Sequence, residues 1–163
     1  MFANLTPQLW IHFVAVSAAL GIGLVLVAAP KGTLSHRRAG WLYVTAMLLG
    51  NAGAFTSYRL GVNLFHVFAV VSLVSLFFGL RAIRRWRVSK APEWLRGHRI
   101  NMGYSYLGLV MAGVSQFVTN PRFGLASEMT SLAFWGMFAA ANLVMYAAGS
   151  WLIFRNAGAA AQA

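Results

Sequence analysis

The chain of 163 residues is 60% hydrophobic and 9% charged, with a mean hydropathy of +0.67, whereas about a quarter of the residues of a soluble domain are charged. A soluble fold is excluded. The 13 Lys and Arg against 2 Asp and Glu give a formal charge of +11, but the basic residues fill gaps between apolar runs rather than one face of a polar surface, which excludes a nucleic-acid binder; the absence of Cys excludes disulfides and thiolate metal sites.

Helix 1 is expected from about residue 7 to 29, with Thr6 as N-cap, Pro7 at the first helical position and Pro30 closing the run. The segment before it lacks the basic start of a signal peptide, so this first helix is expected to be retained. Gly21, Gly23 and several alanines would allow close helix contact in lipid. Helix 2, about 36–58, opens on the basic loop Leu34-Ser35-His36-Arg37-Arg38 and is rich in small residues through Gly50, Gly53 and Ala54. Helix 3, about 64–85, carries no charge until Arg81 and then continues as a basic extension through Arg87.

The connection from Arg81 to Gly97 combines six basic residues with Trp86 and Trp94, and predicts a short helix at the headgroups, broken near Pro92. Helix 4 is expected over about 98–118, stopped by Asn120-Pro121, and helix 5 over about 129–154. The predicted fold class is therefore an all-α, polytopic integral membrane helix bundle with five transmembrane helices. Residues 1–155 would form a single transmembrane domain and 156–163 a flexible tail. Eleven basic residues flank one side, from Lys31 to Arg155, against Arg59 and Arg122 on the other. This asymmetry places the N-terminus out and the C-terminus in, in a bacterial cytoplasmic (inner) membrane.

With that topology the four histidines fall at two depths. His12 and His66 lie near the outer ends of helices 1 and 3, and His36 and His98 begin helices 2 and 4 at the inner end, about 25 Å away at 1.5 Å per residue. Their positions toward helix N-termini disfavour imidazolium, so neutral rings are expected. Neutral imidazole is an axial ligand for haem iron and also suits copper. Two readings stay open: paired histidines holding haem b, with copper as the alternative, or histidines that hydrogen-bond within the bundle. In the first, Arg59 outside and Arg99 inside would neutralise propionates, and Tyr43 would border the cofactor. The inner pair, amid arginines, would equally suit a lipid phosphate or a quinone carbonyl.

The remaining polar residues, among them Asn51, Thr56, Ser72, Ser105, Ser115, Asn142 and Ser150, are read as hydrogen-bonding glue between helices. The only acidic residues, Glu93 and Glu128, are expected in loops. That speaks against a pump built on membrane carboxylates and against a metallohydrolase.

His36-Arg37-Arg38-Ala39-Gly40-Trp41-Leu42-Tyr43, an early helical histidine at His12, and His98-Arg99-Ile100-Asn101-Met102-Gly103-Tyr104-Ser105 together resemble the bacterial predicted membrane protein family of unknown function 2306 (DUF2306-like). The resemblance covers about residues 8–115. It implies a membrane bundle with His12, His36, Gly40, Tyr43, His98, Arg99, Met102 and Ser105 as signature positions; Trp41 stands where the family pattern has arginine.

The functional expectation is a small b-type-haem-binding inner-membrane protein taking part in electron transfer, with quinone as the candidate partner. The alternative is a cofactor-free accessory or assembly subunit of a larger respiratory or other membrane complex, with a small-molecule carrier behind both. Whether the protein is an enzyme stays open. Membrane lipids are expected partners and nucleic acid is not.

Overall fold

The computed structural model describes residues 6–56, 64–119 and 131–159. These form five helices, α1 (Pro7–Ala28), α2 (Leu34–Thr56), α3 (Leu64–Ser89), α4 (Pro92–Thr119) and α5 (Ser131–Ala159). Stretches of α1, α3 and α5 are long and apolar enough to cross a membrane. The chain is an all-helical membrane protein, and its contacts divide it into two compact units, Met1–Val74 and Ser75–Ala163.

In the first unit, α1 starts as its sequence dictates. The Thr6 side-chain oxygen accepts from the Leu9 amide at 3.4 Å, and Pro7, which has no N–H to leave unpaired, occupies the first turn. At the other end the Lys31 ammonium donates to the carbonyls of Val27 and Ala29 at 2.7 and 2.9 Å. A cation there satisfies carbonyls that lack an intrahelical donor and complements the negative end of the helix dipole. Gly32, at φ 80°, reverses the chain in a conformation that disfavours a Cβ. Thr33 then caps α2, its hydroxyl accepting from the His36 amide at 3.1 Å.

The α1 and α2 helices pack through small residues. Ala15, Ala19 and Gly23 are the buried positions of α1, and a Cβ built on Gly50 of α2 would lie 2.8 Å from Val16 Cγ1. Backbones approach closely only because these positions lack bulk. On the same helix Tyr43, Val44 and Met47 are also buried. Gly21, in contrast, has open space where a Cβ would stand, so small size in this helix does not by itself mark a contact.

The second unit contains the rest of α3, then α4 and α5. The basic connection does not form a separate interfacial helix. Arginine is a good helix former, so α3 continues to Ser89 past the end of the apolar run. Lys90, at φ 56°, and Ala91 make the turn, and α4 starts at Pro92 with Glu93 in its first turn, where both residue types are favoured. Glu93 is thus helical, and α4 begins six residues before His98. The Lys90 ammonium lies 4.8 Å from the centroid of Trp86. At the far end α5 remains helical to Ala159, into the segment expected as tail.

The α4 and α5 helices are antiparallel and interlock by reciprocal glycines. Ile153 packs on Gly103, and Leu107 packs on Gly149. Tyr104 donates its hydroxyl proton to Ser150 Oγ at 3.0 Å. Asn142 Nδ2 donates to Ser115 Oγ at 3.1 Å and to the Phe138 carbonyl at 2.9 Å. These bridges are the expected interhelical glue. Other polar residues turn inward on their own helix instead: Asn51 donates to Met47 O at 2.7 Å, Asn101 to Gly97 O at 2.8 Å and Thr56 to Gly53 O at 2.9 Å, which satisfies the side chain without a neighbour.

Candidate functional site

His12 sits in the second turn of α1, half-buried against α2. Its Nδ1 lies 2.7 Å from the Gly50 carbonyl oxygen. A carbonyl only accepts, so Nδ1 carries the proton; in the neutral ring Nε2 is then an unprotonated lone-pair donor. The seat is cut to fit. A Cβ on Gly53 would stand 2.7 Å from His12 Cβ and 3.1 Å from its Cα, closer than packed carbons come, so only glycine lets α1 settle deep enough for this bond.

His98 repeats the arrangement in the second unit. Its Nδ1 lies 2.9 Å from the Gly79 carbonyl oxygen of α3, which fixes the same tautomer and again leaves Nε2 with the lone pair. Gly79 also receives Met102, one turn below His98, whose Sδ would be 2.8 Å from a Cβ at that position. One glycine thus accepts the imidazole with its carbonyl and the thioether with its empty side-chain position.

His66, in the first turn of α3, is buried at 8% exposure with its ring centroid 5.9 Å from that of Phe55 on α2. Gly53, which faces His12, and Phe55, which faces His66, are two residues apart in α2, or roughly 160° around its axis. His12 and His66 therefore share the end of α2 but approach it from different sides. His36 is half-buried in the first turn of α2. Tyr43, on the same stripe, is one of the most deeply buried side chains at 2% exposure; between them Gly40 has open space where a Cβ would be. Arg99 is half-buried on α4. Arg59 lies outside the described residues.

Sequence reasoning singled out the histidines but not their acceptors. Gly50 and Gly79 take part through a carbonyl, which every residue has, and only their fit against a facing imidazole distinguishes them. No cluster of three or more His, Cys, Asp or Glu suited to a metal ion occurs among the described residues.

Five helices, apolar outer faces and imidazoles bonded across helices define a helical membrane protein. The family comparison agrees: residues 9–154 match the family described as "Predicted membrane protein (DUF2306)", and the chain belongs to that family. No curated protein and no solved structure matches the chain.

Proposed function

We propose that the protein is a small b-type-haem-binding protein of the bacterial inner membrane that takes part in electron transfer. The observation that carries this reading is the hydrogen bond from His12 Nδ1–H to the Gly50 carbonyl, matched by that from His98 to Gly79. Metal-ligating histidines almost always donate their other ring proton to a carbonyl or carboxylate, which fixes the tautomer, orients the ring and makes the free nitrogen a better ligand. Two imidazoles prepared in this way, in a bundle with little carboxylate, fit axial ligation better than acid-base work. His12 and His98 would each supply an axial nitrogen, with His66 and His36 as the further candidate ligands. Tyr43 would border the cofactor, and Arg59 and Arg99 would neutralise propionates. When bound, the haem supplies one-electron chemistry; quinone is the natural membrane partner.

In this reading all five helices cross the bilayer. The α2 helix, at 23 residues, and α4, at 28, are each longer than a hydrocarbon core of about 30 Å at 1.5 Å per residue. Their lower apolarity follows from carrying the polar residues that the bundle buries. The basic flanks support an outer N-terminus and an inner C-terminus.

A second reading, a cofactor-free accessory subunit of a larger membrane complex, is favoured by one observation. His12 and His66 reach α2 from different sides, and a histidine bonded to a neighbouring carbonyl also serves simply as a helix clasp. Protein purified from cells with ample haem supply separates the two. The haem reading expects a Soret band, a reducible α band and stoichiometric iron. A colourless preparation without bound iron or copper puts the accessory subunit first.

A further inference from the structure

We infer that α3 carries a binding site for a dianionic phospholipid, with a headgroup bearing two phosphates, on the face turned away from α4. The side of α3 that meets α4 is defined by Gly79, which receives His98 and Met102, and by Ala82, the nearest neighbour of Gly97. Arg81, Arg84 and Arg85 stand at i, i+3 and i+4, and so form one patch on the opposite side of the helix. All three are exposed, and none takes an ion pair among the described residues.

Immediately before them on the same face, Phe77 and Phe78 are 61% and 45% exposed. An exposed apolar surface thus leads directly to a group of guanidiniums. That order matches a phospholipid, with acyl chains along the aromatic rings and phosphate at the arginines. The three charges lie within about 6 Å of axial rise, more than one phosphate neutralises, so charge complementarity selects a headgroup with two. Bidentate geometry makes arginine the better phosphate ligand of the two basic residue types. The depth is also right: α3, with 26 residues, is about 39 Å long and overreaches a core of about 30 Å, so its arginine end extends to the headgroups. Each arginine at the headgroup level adds attraction to anionic lipid. The inference is independent of whether the protein binds haem.

Native mass spectrometry of the full chain, released from detergent containing equal amounts of cardiolipin as the two-phosphate probe, phosphatidylglycerol and phosphatidylethanolamine, tests it. The wild type should retain cardiolipin in preference to both others. The variant R81Q/R84Q/R85Q should lose that preference by about 10-fold or more, because each arginine removed weakens the attraction to anionic lipid. R155Q, whose guanidinium stacks 5.2 Å from Trp151, should keep it. Circular dichroism confirms that each variant is helical, and glutamine retains helix propensity at all three positions. Equal retention of phosphatidylglycerol and cardiolipin, an unchanged preference in the triple variant, or co-purification of an acidic protein on this face in place of lipid would overturn the inference.

Discussion

At the scale of single residues, the bundle depends on a few positions where a hydrogen atom stands in place of a side chain. Gly53 is the sharpest case. Replacing a helical glycine by alanine ordinarily favours the helix by up to about 1 kcal/mol, yet here the new methyl would meet His12 Cβ and the α1 backbone. Overpacking of this sort costs about 1–3 kcal/mol, so Gly53→Ala should lower stability while Gly21→Ala and Gly108→Ala, which meet nothing within 4 Å, should leave it unchanged or raise it. Reversible unfolding in mixed micelles measures all three. Equal effects would show that α1 does not rest on Gly53. Part of this was legible: small residues in both helices predicted close contact. Which glycine faced a neighbour was not, because an open glycine such as Gly21 and a packed one such as Gly53 look alike in a sequence without knowledge of the facing helix.

At the scale of helices, apolar runs located every element but not its ends. The hydrocarbon boundary and the helix boundary are different things. Arg84, Arg85 and Arg87 leave the apolar phase without breaking the backbone ladder, so α3 ends at the left-handed Lys90 rather than at the last apolar residue. Pro92 was recognisable as a break, and it acts by starting α4. Polar residues expected to join helices divide by reach: Ser115 and Asn142 meet across α4 and α5, whereas Asn51 bonds to a carbonyl of its own helix. A double-mutant cycle of Ser115→Ala and Asn142→Leu should give a coupling of about 0.6 kcal/mol, the usual size for such bonds inside membranes. Asn51, buried but not bonded across helices, should show no coupling to either.

At the scale of the molecule, the charge asymmetry predicts an outer N-terminus and an inner C-terminus. Reporter fusions after Arg155 should be active only for a cytoplasmic reporter, and fusions in the connection between α3 and α4 likewise. A periplasmic signal at both places would reverse the account, and a disagreement between them would mean that only one of α4 and α5 crosses. That His12 and His98 stand toward the N-terminal ends of their helices could be read from the sequence. The clasps themselves could not, since each depends on which glycine carbonyl a neighbouring helix presents.

The account rests on the free Nε2 of His12 being a ligand and not merely the idle end of a helix clasp. Visible absorption of the purified wild type, His12→Ala and His98→Ala proteins, produced with ample haem and checked for equal helicity, tests this most directly. The predicted result is a reducible b-type spectrum in the wild type, with the outer haem lost in His12→Ala and the inner haem alone affected in His98→Ala. A wild-type protein without haem absorbance, or a spectrum that neither substitution changes, would contradict it.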